Sequence, residues 1–169
     1  MRGANARSGA GGSLWCVAAA LLVFGGAASA TADVPGPASV LGFQPGEDRR
    51  LADWGQTLTY LERLDAASER VRVDEVGQTT QGRPFVVVTV TSEETQARLE
   101  EIRRVNARLA DPRGLSEQEA EELVARGRTI VAMAYSIHST EVGGTLSALA
   151  FLHHLAATDS PEVRHALDQ

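Results

Sequence analysis

The chain has 169 residues with 16 basic and 22 acidic side chains, a net charge of −6 and a single cysteine. Every basic residue is arginine, a usage that together with abundant Ala, Gly, Val and Leu fits a GC-rich bacterial coding sequence. The acidic balance argues against nucleic-acid binding, and one cysteine excludes a disulfide framework.

Residues 1–30 read as a secretory signal peptide. Arg2 and Arg7 form a positive n-region, residues 14–24 an apolar core, and Ala28-Ser29-Ala30 a small-x-small cleavage pattern, with Ala30-Thr31-Ala32 as a second choice. The apolar run is too short for a membrane span, so none is expected once the signal is removed. Cys16 follows Trp15, where a lipid-attachment signal needs small residues. Cleavage removes Arg2, Arg7 and Cys16, leaving 14 basic against 22 acidic residues, a net charge of −8, and no thiol chemistry. The expected destination is the periplasm or the exterior.

Residues 31–45 form a Pro/Gly/Ala-rich leader, expected to be extended and flexible. Residues 47–69 carry Leu51, Trp54, Leu58, Leu61 and Leu64 at spacings of three and four, which predicts an amphipathic helix, slightly weakened by Gly55. Residues 71–76 alternate as a half-buried strand. The stretch 79–84 has turn chemistry, and residues 85–90 make a second strand, so the two are expected to pair as a hairpin. A charged helix is predicted from Ser92 to about Ala110, stopped by Asp111-Pro112-Arg113-Gly114. Another opens at Ser116 with a capping-box pattern to Glu119. Most of the Glu and Arg on these two helices is a solvated face.

An apolar strand is predicted over 129–135, ending in the turn Ser136-Ile137-His138-Ser139-Thr140-Glu141, with a helix over 142–157. Ser160 and Pro161 open a short last helix, whose apolar face is expected to be exposed. Ligand sites tend to form where strands end in α/β domains. An imidazole and a carboxylate at such a corner can share one divalent metal. With four His and 14 Glu in the chain, a bare H-x-x-E spacing also arises by chance. On spacing alone, His138 could equally be hydrogen-bonded to backbone, with Glu141 placed by the helix dipole.

The order of parts resembles the zinc carboxypeptidase family. A helix beginning near Asp53 leads to a strand ending Val76-Gly77. Gln78-Thr79-Thr80-Gln81-Gly82-Arg83-Pro84-Phe85 then looks like that family's G-x-S/T-x-x-G-R-P-hydrophobic hairpin, and His138-Ser139-Thr140-Glu141 follows. The resemblance covers residues 46–169. It implies a three-layer α/β/α fold with a mixed sheet, incomplete in this chain, and Zn²⁺ as cofactor with His138 and Glu141 as the first two of three protein ligands. It further implies hydrolysis of C-terminal peptide bonds in a peptide or protein substrate, through a metal-activated water. Gly143 and Gly144 would let the last long helix start close to the sheet. Gly82 would serve the hairpin turn, and Arg83 would be structural or a surface arginine.

Thr140 stands where many members carry arginine. The third zinc-binding His, the carboxylate-binding arginines, the specificity tyrosine and the general-base glutamate are expected beyond Gln169, so the segment alone is expected to be inactive. His153, His154 and His165 are expected to be surface or packed residues rather than ligands. Three other readings stay open on sequence: an N-acyl amino-acid or cell-wall amidase on the same fold, a non-catalytic peptide-binding domain that kept the corner, and an unrelated secreted interaction module.

Overall fold

In a computed structural model, residues 33–169 are described. The signal-peptide reading of residues 1–30, Cys16 included, and the first two residues of the leader lie outside them. The chain divides into two units, Met1–Ala30 and Thr31–Gln169, and every described residue belongs to the second.

The leader is not free. Pro37–Leu41 forms a short helix, α1, with Pro at its start and Gly42 at φ 78° ending it. Leu41 and Phe43 are buried in the main core, which holds this segment against the body of the unit. Pro/Gly composition marks the helix ends, and the two apolar side chains between and after them supply the anchoring.

Helix α2 spans Trp54–Ala67, shorter at both ends than the periodicity predicts. Asp53 sets its start: the side chain accepts from Gln56 N at 2.8 Å, while Gln56 accepts from Asp53 N at 3.1 Å. This reciprocal capping satisfies two backbone donors that would otherwise lack partners. Leu51 therefore falls outside the helix and is 58 % exposed. The buried face is Thr57, Tyr60, Leu61 and Leu64, so Tyr60 takes the inward role the periodicity gives to Leu58.

Strands β1 (Val71–Gln78) and β2 (Pro84–Val90) pair antiparallel, as the alternation predicts. A bulge between Glu75 and Gly77 shifts the register. The turn closes through Thr79 N to the Arg83 carbonyl at 2.8 Å and Gly82 N to the Thr79 carbonyl at 2.9 Å. Gly82 sits at φ 71°, where a Cβ would be disfavoured. One face of the hairpin (Val71, Val73, Val86, Val88, Val90) packs on α2 and the later helix α6 (Val142–Ala157). The other face leaves Val76, Phe85 and Val87 exposed. Tyr60, Leu64 and Leu149 are fully buried at the centre, and burying a leucine such as Leu64 or Leu149 stabilises the fold by about 1.5–3 kcal/mol.

The charged region is two helices where one is predicted: α3 (Glu93–Ala97) and α4 (Leu99–Ala110) are divided at Arg98, whose ψ of 9° departs from helical geometry. Helix α5 (Glu117–Arg126) starts with the predicted Ser116/Glu119 capping box. Arg126 reaches across to Glu101 at 2.8 Å, and Arg126 and Arg98 together hold the Glu101 carboxyl below the usual range. Helix α7 (Pro161–Asp168) does not expose its apolar side: Val163 and Leu167 are buried. The Leu167 carbonyl accepts from Thr91 Oγ1 at 2.8 Å and Ser92 N at 3.1 Å, tying α7 to the end of β2. Arg70 locks the base of β1 to the end of α6, donating to the Thr158 carbonyl at 2.9 Å.

The observed architecture is thus helices with a two-stranded antiparallel sheet, compatible with an α/β class. Residues 129–135 do not pair with any strand among the described residues. Ile130, Val131, Met133 and Tyr135 are all exposed, so neither side of the segment faces a core. A strand exists by its ladder, and the described residues supply no neighbour for this one. Its tether at the start is Thr129 N to the Gln169 carbonyl at 3.2 Å.

Candidate metal centre

The segment 129–135 ends in a sharp reversal. Ser136 has φ 52°, a left-handed conformation uncommon for a residue with a Cβ. This turns the chain so that residues 137–141 form a tight loop ahead of α6. Glu141 N donates to the His138 carbonyl at 2.9 Å, closing the loop over the two residues between the two candidate ligands.

That closure brings the side chains together. His138 Nδ1 lies 2.8 Å from Glu141 Oε1, and His138 N donates to Glu141 Oε2 at 3.4 Å. A carboxylate only accepts, so in a neutral His138 ring the proton lies on Nδ1, directed at Glu141. Both side chains are open to solvent, 75 % and 55 % exposed. Glu141 is the residue preceding α6, but its side chain makes no capping hydrogen bond. Its carboxylate is turned to the imidazole instead of to the helix amides, which favours the paired arrangement over a dipole-placed glutamate.

Ser136 also fixes the loop from beneath. Its hydroxyl lies 3.1 Å from the Glu141 carbonyl and 2.9 Å from Thr145 Oγ1. Gly144 makes room for it: a Cβ there would sit 2.8 Å from Ser136 Oγ and 3.0 Å from Ser136 N. Gly143 has open space around it among the described residues, so of the two glycines Gly144 serves a close approach there, and it serves the turn and not the sheet.

A cleft of about 310 Å³ lies beside the corner, lined by Leu51, Ala52, Val142 and Leu146 and by the hydroxyl residues Ser136, Ser139 and Thr145. Its hydroxyl lining, and Ser136 in particular, carries no signal in the sequence. Serine nine residues before threonine matches no motif, and a positive φ on serine is not readable from composition.

The remaining histidines are elsewhere. His153 Nε2 lies 3.3 Å from the Val34 carbonyl, His154 Nδ1 lies 3.1 Å from Thr158 Oγ1, and His165 is exposed on α7. Among the described residues, no three His, Cys, Asp or Glu side chains gather in one place. Arg83 is exposed at the hairpin turn, its N–H donating to Thr79 Oγ1 at 3.1 Å.

A family model described as zinc carboxypeptidase matches residues 57–169, two thirds of the chain, with the hairpin turn and the His138/Glu141 corner inside the match. The chain belongs to the zinc carboxypeptidase family. The match starts within α2, later than the resemblance over 46–169 implies. Comparison with curated proteins and with solved structures gives no match. As donors, an imidazole nitrogen and a solvent-open carboxylate oxygen that face one another are of the type this family's metal takes. His138 and Glu141 are two side chains of that type among the described residues.

Proposed function

We propose that this chain contributes His138 and Glu141 as two protein ligands to a catalytic zinc in an exported hydrolase that cleaves C-terminal peptide bonds. The observation that carries the reading is the 2.8 Å pairing of His138 Nδ1 with Glu141 Oε1 on an exposed turn, inside a chain that belongs to the zinc carboxypeptidase family. When bound, zinc supplies a Lewis acid that polarises the scissile carbonyl and acidifies a water.

The chain's own residues have distinct parts in this reading. His138 offers a neutral ring nitrogen, and Glu141 brings a negative charge that offsets part of the metal's. Beside them, Leu51, Val142 and Leu146 give the cleft an apolar wall for a peptide side chain. Ser139 and Thr145 give it hydroxyls for peptide carbonyls and amides. Thr140 leaves the turn without a cationic side chain between the two ligands.

The finer fold belongs to the same proposal. Helices on one face of the hairpin, exposed Val76, Phe85 and Val87 on the other, and the unpaired apolar segment 129–135 support a three-layer α/β/α arrangement with a larger, mixed sheet. Export to the periplasm or the exterior belongs to the same proposal and rests on the signal-like sequence of residues 1–30. Among the described residues no helix is long and apolar enough to cross a membrane.

Calorimetric titration of the chain with ZnCl₂ tests the metal assignment. Binding should be present and should weaken at least about tenfold in both His138→Gln and Glu141→Gln. Zinc binding that survives both substitutions would place the metal elsewhere, and no binding at all would remove the assignment.

A further inference from the structure

We propose that Ser136 is a positioning residue for the His138/Glu141 pair, acting through a hydroxyl clamp on the backbone of Glu141; the inference rests on the zinc assignment of that pair and deepens it. Four observations converge on this residue. Its backbone is held at φ 52°, a left-handed conformation uncommon for a residue with a Cβ. Its hydroxyl lies 3.1 Å from the Glu141 carbonyl, bridging the two ends of the six-residue turn that carries both ligands. The same hydroxyl meets Thr145 Oγ1 at 2.9 Å, on the first turn of α6. Finally, the space it occupies exists because position 144 has no side chain.

The hydrogen bonds are mutually consistent. Ser136 donates its one proton to the Glu141 carbonyl and accepts from the Thr145 hydroxyl. Gly144 N donates to the same Glu141 carbonyl at 3.1 Å, so that oxygen is gripped from the turn and from the helix together. His138 and Glu141 have exposed side chains, which packing alone does not immobilise. Their mutual placement is therefore set by the backbone of the turn, and Ser136 is the group that fastens its two ends. Side chains that orient metal ligands from behind commonly affect metal affinity by ten- to a hundredfold when removed.

The sequence position carries the cost and the benefit at once. Glycine would relieve the backbone at 136 but would leave the Glu141 carbonyl with one donor fewer. Alanine would lose the hydroxyl and keep the unfavourable φ. The first of these separates the clamp from simple folding, because Ser136→Gly removes the hydroxyl without adding strain.

The experiment uses the full chain and two readouts. In the absence of metal, ¹⁵N spectra of the imidazoles report the His138 tautomer. The unsubstituted chain should show the Nδ1-protonated form enforced by Glu141, and Ser136→Gly should shift His138 toward a mixture of tautomers while His153, His154 and His165 stay unchanged. In a ZnCl₂ titration followed on the same His138 signals, Ser136→Gly should bind roughly tenfold more weakly. An unchanged tautomer and a zinc affinity within twofold of the unsubstituted chain would overturn the clamp. If the unsubstituted chain shows no zinc-dependent change at His138 but Ser136→Gly still alters its tautomer, the zinc reading fails and the positioning of the pair stands.

Discussion

The adjacent glycines at the start of α6 offer a controlled test of the turn geometry, because one substitution should stabilise and the other should not. Gly→Ala in a helix gains up to about 1 kcal/mol from backbone entropy and propensity. At Gly143 the new methyl meets nothing within 4 Å, so Gly143→Ala should keep that gain, reduced somewhat by its place in the first turn. At Gly144 the methyl would lie 2.8 Å from Ser136 Oγ and 3.0 Å from Ser136 N. The hydroxyl can rotate away, but the backbone nitrogen cannot without moving the turn. Such overpacking costs about 1–3 kcal/mol, which exceeds the propensity gain. Gly144→Ala should therefore be less stable than Gly143→Ala by about 1–3 kcal/mol, a separation of roughly 1 M in urea midpoint at an ordinary m-value. Urea unfolding followed by far-UV circular dichroism measures this. Equal midpoints for the two variants would mean that Ser136 does not lie against Gly144, and the geometry of the metal corner would have to be redrawn.

The core and the caps yield two further expected outcomes. Tyr60 is completely buried and its hydroxyl has no hydrogen-bond partner among the described residues, and burial pushes its pKa up from 10.0 to about 12. Since the folded value is raised, the stability it carries is intact below pH 10 and lost as pH rises from 10 toward 12, by at most about 2.7 kcal/mol at 1.36 kcal/mol per unit. Tyr60→Phe should remove that alkaline loss and stabilise the protein at pH 7 by about 1 kcal/mol, since the orphaned hydroxyl disappears; a destabilised Phe variant would show that the hydroxyl has a partner. Asp53→Ala should cost about 1 kcal/mol by freeing the Gln56 amide at the start of α2. A thermal melt unchanged by that substitution would deny the capping box.

The sequence by itself determined the hairpin and the starts of several helices, and it singled out His138 and Glu141 as the two candidate ligands. Helix starts are legible where a capping pair is written into nearby residues, as at Ser116/Glu119, and the hairpin is legible from alternation around a Gly-Arg-Pro turn. His138 and Glu141 are legible because a tight turn needs only neighbouring residues, and the structure places them in contact. What is not local escapes such patterns: periodicity assigns Leu51 to a helix that Asp53 starts two residues later. Composition makes the leader free although Leu41 and Phe43 enter the core, and it leaves α7 exposed although Val163 and Leu167 are buried. In each case burial depends on what another part of the chain presents, and periodicity carries no record of that. The segment 129–135 shows the same limit from the other side, since its β-branched pattern predicts a strand, yet pairing is a property of two strands and the described residues give it no partner. Only the tertiary structure put Ser136 in a left-handed conformation against Gly144, because that contact joins a turn to a helix through space and leaves no periodic trace along the chain.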